Sequence, residues 1–318
     1  MSVTAHTGVS AKSALAIAGA RLFLKPVIHL YPVRSWSFAP LALVEGIANL
    51  IGWMPGDVEV ERIELAGVPV ERLVPTGGDV RADAAICYYH GGAFLTGGPA
   101  THRRVAAALA RALGVTVFNV DYRQLPDVGV GTSVDDGYRV YRAVADSGRY
   151  GQVAVGGDSA GGYISAKVVE LAWLDAAAAP AAYFGFSPLL APTVEDGDPR
   201  YEIDDAYISV GKLRGLREFF DRGPDELRGS DDATEIDPAA FPPAIVVACT
   251  EEMLRVDAER LHARLDEAGK PCDLHLFDGG VHAFPVLAGA TAESGKAVQL
   301  TVAYLAAAFD AAMSRRAA

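Results

Sequence analysis

The seven residues Gly-Gly-Asp-Ser-Ala-Gly-Gly, 156–162, constrain the fold of this chain more than any other stretch. The apolar run Val153-Ala154-Val155 precedes them and reads as a buried strand. The segment Tyr163 to Leu174 follows and reads as a helix. Gly157, Ser159 and Gly161 therefore form G-x-S-x-G at a strand-to-helix turn, the context in which this pattern marks a nucleophile elbow. The reason is steric. A serine on so sharp a turn holds a strained backbone, and bulky neighbours two residues to either side would collide with it. Glycine at both flanks removes the collision and leaves the hydroxyl clear at the C-terminal edge of a sheet, near the positive end of the new helix. The competing reading is a glycine-rich turn with a capping serine, and the remaining sequence decides between the two.

A chain of 318 residues buries a large core and suits one α/β domain with a lid, or two small domains. Hydrophobic residues at 51% and charged residues at 21% describe a globular chain rather than a disordered one. The net charge of −12 argues against a nucleic-acid partner, whose phosphates would repel it. Cys87, Cys249 and Cys272 match neither a disulfide framework nor a zinc spacing, so no metal is expected and a reducing, cytoplasmic compartment is the default. Ser13 to Ala20 is apolar, but Arg21 and Lys25 interrupt the run before it can span a bilayer. Too little positive charge precedes it for a secretory signal. Residues 10–53 read instead as two helices, with Leu15, Leu22, Leu41, Val44, Ile47 and Trp53 on their faces and Pro26, Pro32 and Pro40 as punctuation. These helices are expected to cover a pocket. Peripheral contact with a membrane is the alternative, weakened by a polar face poor in Lys and Arg.

From about residue 57 the pattern changes. Val58-Val60-Ile63 and Val68 to Leu73 alternate like antiparallel strands. Continuous apolar runs then read as strands over Ala84 to Tyr89, Val115 to Val120, Gln152 to Gly156, Ala182 to Phe186, Ala244 to Cys249 and Asp273 to Phe277. Helical stretches alternate with them, over His102 to Leu113, Ser133 to Ala145, Ser159 to Leu174, Leu254 to Ala268 and Ala292 to Ala312. Such alternation implies a mostly parallel, eight-stranded sheet covered on both sides. Functional groups of such sheets collect beyond the C-terminal ends of the strands.

His90-Gly91-Gly92-Ala93-Phe94 follows one strand, and its glycine pair lets backbone N–H groups turn toward an anion beside Ser159. Gly92, Ala93 and Ala160, the residue after the serine, are the candidate donors; His90 is expected to fix the loop. Thr250-Glu251-Glu252 follows another strand, and Asp278 to Pro285, with His282, follows the last. The chain order is serine, acid, histidine, the order of the α/β-hydrolase triad. His282 would take the serine proton, and a carboxylate would orient the ring. His6, His29, His102, His262 and His275 fall in the tail, in helices or in a strand, where structural roles are expected.

With these pieces in place the sequence resembles the hormone-sensitive-lipase-like branch of the α/β-hydrolases, the bacterial family IV esterases. HGGAF at 90–94, DYR at 121–123, GDSAGG at 157–162, EEMLRVD at 251–257 and HAFP at 282–285 carry the resemblance in order, across roughly residues 57–318. It implies an α/β-hydrolase fold with a helical cap. It implies Ser159 as nucleophile, His282 as base, Gly92, Ala93 and Ala160 as oxyanion hole, and Glu252 as acid, with Glu251 as runner-up. Three departures stand out. Ala93 replaces a glycine, which leaves the N–H in place. Val256 replaces an acidic residue, whose hydrogen bond is lost or shifts to Asp257. Val128 to Gly131 replaces a proline-rich run, so that loop is expected to be looser. Asp158, Asp121 and Arg123 are read as scaffold.

Residues 1–55 are assigned to cap helices and 56–318 to the catalytic domain, with a cap insertion at about 190–243 that is too long for a simple connection. Residues 195–238 hold 14 acidic and 6 basic side chains, an acidic rim that would disfavour anionic substrates. Phe94, Leu95, Tyr163, Phe186, Tyr207, Phe219 and Phe284 are candidate pocket walls, each equally suited to the core. The reading is a serine carboxylesterase acting on short- to medium-chain esters, with no cofactor and with a homodimer permitted. Its rivals are an amidase, a long-chain lipase and a ligand-binding receptor on the same fold.

Overall fold

The computed structural model of the protein describes residues 2–317. A short strand, β1 (Val3–His6), comes first. Helix α1 (Ala11–Gly19) then runs through one π-helical turn at 20–24 into α2 (Lys25–Leu30), and α3 (Ser35–Phe38) and α4 (Ala42–Ile51) follow. The strands β2 (Val58–Leu65) and β3 (Val68–Pro75) form a hairpin through Ala66 and Gly67, both at positive φ, as a two-residue turn between right-twisted strands requires. Strands and helices then alternate: β4 (Ala84–Tyr89), α5 (Pro99–Leu113), β5 (Thr116–Val120), α6 (Val130–Ala145), β6 (Gln152–Asp158), α7 (Ala160–Leu174) and β7 (Tyr183–Phe186). A long insertion holding α8 (Val210–Arg217) leads to β8 (Ala244–Cys249), α9 (Arg255–Glu267), β9 (Cys272–Phe277) and α10 (Ala292–Ala317).

The strands form one sheet in the order β1-β9-β8-β7-β6-β4-β5-β3-β2. β3 pairs antiparallel with β2 and β5, and all other pairs are parallel. The central strands are unbroken apolar runs because helices cover both of their faces. Cys87, Tyr89, Val155 and Val246 enter the core shared with α6, α7 and α9. Ile86, Tyr88, Ala154 and Val247 enter the other, beneath α5 and α10. The strand order switches at β4, which has β5 on one side and β6 on the other. The loops after β4 and β6 therefore open on one crevice, where this class of sheet places its ligands.

Three expectations are corrected. The sheet has nine strands, not eight, and residues 1–55 are not all cap helix. Val3–His6 pairs in register with Leu274–Phe277, so β1 covers an edge of β9 that would otherwise stand open. The Val128–Gly131 loop is not loose. Val130 N donates to Phe220 O at 2.9 Å, and a Cβ on Gly129 would meet Arg222 O at 1.6 Å, so the glycine lets the insertion close onto the loop.

Much of the insertion's acidity is engaged with its own chain. Asp198, Asp232 and Asp237 accept from Arg200 N, Thr234 N and Ala239 N, capping three short 3-10 turns. Asp257 is fully buried at the start of α9 and takes Leu190 N at 2.8 Å and Ala191 N at 3.0 Å. Burial pushes its carboxyl up to about 6, against the pull of Arg200 at 3.3 Å and the two N–H groups. The N-terminal helices meet the insertion at Phe38, whose ring stands edge-on to Phe219 with centroids 4.9 Å apart.

Candidate active site

Ser159 sits between β6 and α7 at φ 51° and ψ −119°, a strained backbone for a residue with a Cβ. Its N–H donates to Phe186 O at 3.0 Å, and its carbonyl accepts from Gly162 N at 2.9 Å and Leu189 N at 3.0 Å. The flanking glycines are needed for a different reason from the expected one. A Cβ on Gly157 would lie 2.1 Å from Tyr89 O, and one on Gly161 would lie 1.9 Å from the same oxygen. The elbow is pressed against the end of β4, and the collision is with that neighbouring strand rather than with the serine. Gly161→Ala is expected to lower the unfolding free energy by at least about 2 kcal/mol. Urea unfolding measures this, with Gly77→Ala, where a Cβ meets open space, as the control.

The loop after β4 carries three consecutive residues at positive φ: Gly92 at 117°, Ala93 at 57° and Phe94 at 59°. Leu95 N and Thr96 N both turn back to Gly92 O, at 3.0 and 3.1 Å. The N–H groups of Gly92, Ala93 and Ala160 donate to no acceptor among the described residues. Asp158, the residue before the serine, fastens this loop. Its Oδ1 accepts from Gly91 N at 3.1 Å and Tyr88 Oη at 2.6 Å, and its Oδ2 lies 3.4 Å from His102 Nε2. Burial raises the Asp158 carboxyl, but His102, Tyr88 and His90 outweigh it and hold the group below its usual range. His90 is scaffold: fully buried, stacked on Tyr122 with centroids 4.3 Å apart, its Nδ1 at 2.7 Å from Gly91 O. Burial pushes it down to about 3, so it stays neutral. Arg123 is likewise occupied, by Asp136 at 2.7 Å.

Beyond β9 the chain turns and presents His282, whose Nδ1 lies 2.7 Å from Glu252 Oε2. Both groups are buried. Glu252 Oε1 also accepts from Cys249 N at 2.7 Å, which fixes the carboxylate. Glu251 is elsewhere, an exposed side chain 3.5 Å from Arg21. Burial lowers the His282 pKa, but the hydrogen bond and charge of Glu252, with Asp205 and Asp158 behind, raise it above the ordinary value overall. With Nδ1 donating to Glu252, the neutral ring carries its acceptor lone pair on Nε2. Phe186 and Ser187 join the two halves of the site: Phe186 O takes Ser159 N, and Ser187 Oγ takes Ala283 N at 3.0 Å. The Ser159 hydroxyl has no hydrogen-bond partner among the described residues.

Sequence reasoning missed what the insertion does here. Asp205 is buried, accepts from Tyr207 N and Ile208 N at 2.9 Å, and takes Met253 N at 3.0 Å, next to Glu252. Tyr207 Oη donates to His282 O at 3.0 Å, with its ring edge-on to the imidazole. In the sequence Asp205 lies in an acidic stretch without a motif and Tyr207 stands only as a candidate wall; the fold brings both to the site.

The other candidate wall residues divide. Phe94, Tyr163 and Phe219 are buried, and Leu95 packs on the same core. Phe94 stands edge-on to Tyr163 and to Phe220. Tyr163 Oη donates to Asp231 O at 2.8 Å, which ties the insertion to α7. Phe186 and Phe284 are buried in the opposite core, under α5 and α10. Phe284 takes the core role that was equally open to it, since the turn after His282 sets it against Phe277 with centroids 5.2 Å apart. A cavity of about 290 Å³ beside Gly131, Val134 and Arg228 borders none of Ser159, Glu252 and His282. Among the described residues no group of three or more His, Cys, Asp or Glu side chains is placed to hold a metal ion.

Comparison with known proteins bears on the fold and the family. A family model described as alpha/beta hydrolase fold matches residues 86–286. The chain is 28% identical to the carboxylesterase/phospholipase LipF of Mycobacterium tuberculosis over 88% of its own length and 77% of the relative's. It is 30% identical to the esterase LipU of the same organism, over 74% of this chain and 82% of that one. Among solved structures it superposes on an esterase of the bacterial hormone-sensitive lipase family with a TM-score of 0.79 at 24% identity, over 94% of this chain and 99% of the other. An esterase/lipase from an uncultured bacterium gives 0.79 at 22%, over 98% and 100%.

Proposed function

The chain belongs to the alpha/beta-hydrolase family and resembles its esterases, and from that premise we propose that it is an ester hydrolase of the hormone-sensitive-lipase-like branch, with Ser159, His282 and Glu252 as its catalytic triad. Ser159 Oγ attacks the ester carbonyl carbon while its proton passes to His282 Nε2. The carbonyl oxygen becomes negative and is held by the free N–H groups of Gly92, Ala93 and Ala160. Collapse breaks the bond to the alkoxy oxygen, which leaves as the alcohol with the proton from His282. Water, deprotonated by the same histidine, then attacks the acyl-serine and releases the acid. Glu252 holds the ring in one tautomer and stabilises its cation throughout. The observation that carries this reading is the buried Glu252–His282 pair at 2.7 Å, beyond the same sheet edge as the strained serine.

The preferred substrates are esters of short to medium acyl length. This reading takes as the acyl-side wall the buried rings of Phe94, Tyr163 and Phe220, which stand edge-on to one another, and Phe219, against which Phe38 of the N-terminal segment stands. A chain entering between them gains about 0.8 kcal/mol, or roughly fourfold in binding, for each methylene buried. It gains nothing once its end meets those rings. Across p-nitrophenyl esters from acetyl to palmitoyl, kcat/KM is expected to rise and then fall, with Ser159 acylated during turnover. Tight binding of esters without turnover would overturn the enzyme in favour of a receptor. A profile still rising at palmitoyl would favour the long-chain lipase.

A further inference from the structure

The helical segment ahead of β2 is built inside out. In α4, Glu45 faces the body and accepts from Ala100 N at 2.7 Å and Thr101 N at 3.1 Å, at the start of α5. The other side carries Leu43, Ile47, Leu50 and Ile51 at helical spacing, and they are 64%, 56%, 88% and 74% exposed. The longer helix repeats the pattern: Leu22, Phe23, Val27 and Leu30 are 68%, 75%, 60% and 82% exposed. A surface helix ordinarily turns its apolar stripe inward. A contiguous outward stripe of this kind marks a surface that something else covers.

Ala11–Leu30 is long and apolar enough to cross a bilayer, but it is fastened flat. Ser13 Oγ donates to Glu293 at 2.6 Å, Arg21 reaches Asp204 at 2.8 Å, Lys25 reaches Asp205 O at 2.8 Å, and Lys212 holds Tyr31 O at 2.6 Å. A helix tied to the body near its start, along its middle and just past its end lies parallel to that body, with its apolar side outward.

The segment is poor in Lys and Arg, as the sequence shows, but what charge it has is of one sign, and that sign points to the occupant. Residues 1–44 contain Lys12, Arg21, Lys25 and Arg34 and no acidic residue, while the rest of the chain holds all 40 acidic residues against 24 basic ones. Lys12 and Arg34 are exposed. In a symmetric dimer, residues 1–44 of the second copy would bring no carboxylate to pair Lys12 and Arg34. Arg21 and Lys25 are already paired with Asp204, and anionic headgroups supply the counter-charge that Lys12 and Arg34 lack. Trp36, 70% exposed between the helices, is the residue type that settles at headgroup depth.

We propose that residues 11–51 dock this protein on an anionic lipid surface, with α1, α2 and α4 lying in the interface plane. The proposal stands apart from the hydrolytic reading. The test sediments the full chain with phosphatidylcholine vesicles, pure or with roughly a third phosphatidylglycerol. The chain is expected to pellet with the anionic vesicles and at least about tenfold less with the neutral ones. Leu43→Asp with Leu50→Asp should weaken binding by about tenfold or more. Lys12→Glu with Arg34→Glu should erase the preference for anionic lipid. All variants should melt with the parent and hydrolyse a water-soluble acetyl ester at its rate. A parent chain left in the supernatant with both vesicles overturns the proposal. So does a lipid-free dimer that Leu43→Asp with Leu50→Asp converts to monomer, because a second copy then covers the face. Failure to hydrolyse the ester, with vesicle binding intact, counts against the triad and not against the surface.

Discussion

Ser159→Ala lowers kcat on every accepted ester by about 10³-fold or more while leaving the unfolding curve close to that of the parent. The two halves of this expectation have separate causes. The hydroxyl makes no described hydrogen bond, so its removal leaves no buried partner unsatisfied. Alanine keeps the Cβ and so inherits the same strained turn, neither relieving nor adding to it. What goes is the only nucleophile, while the N–H groups of Gly92, Ala93 and Ala160 remain to give a residual rate. Rates by stopped assay and melting by circular dichroism measure the two halves independently. Near-normal turnover in a folded variant would remove Ser159 from the mechanism.

Glu252→Gln is expected to cost about 10²- to 10⁴-fold in kcat, and Glu251→Gln about twofold or less. The side chains are neighbours in sequence and the substitution is the same. Only residue 252 touches His282 Nδ1, while residue 251 lies in solvent beside Arg21. Glutamine retains an oxygen for Cys249 N, so the turn keeps its shape. Its amide, however, can no longer both fix the tautomer and stabilise the imidazolium. The pH profile should move as well. His282 must be neutral to act as base, so activity falls as pH drops through its pKa. With Glu252 present that pKa stands above the ordinary value of 6.5; without the carboxylate, burial pulls it down and the acid limb moves to lower pH. An equal loss from both substitutions would place the acid elsewhere.

The sequence was most legible where function forces local chemistry. The runs that became β4, β6 and β8 are buried on both faces, β9 on one face only, and the residues just past all four had to be the reactive ones. Val3–His6 carried no such signal. Four residues of alternating exposure form a strand only because β9 waits beside them, and His6 bonds a histidine 269 residues away. Asp205 was hidden for the same reason, and Tyr207 was legible only as a candidate wall and not as a partner of His282, since Met253 and His282 belong to distant parts of the chain. Wall and core were equally open for Phe284 in the sequence, because nearness to His282 along the chain says nothing about which side of the sheet the next turn enters.

The pairing of β1 with β9 also sets an order of events during synthesis. Among the described residues, β1 has β9 as its sheet neighbour, and roughly 270 residues of chain must be made between the two. At about 5–20 residues per second, the interval between them is on the order of 15–50 s. Throughout it the outer edge of the sheet cannot close, and Ser10 and Ser13 lack the Glu293 carboxylate that later anchors α1. The nascent chain therefore carries α1 and its exposed apolar residues without that anchor until translation has passed residue 293.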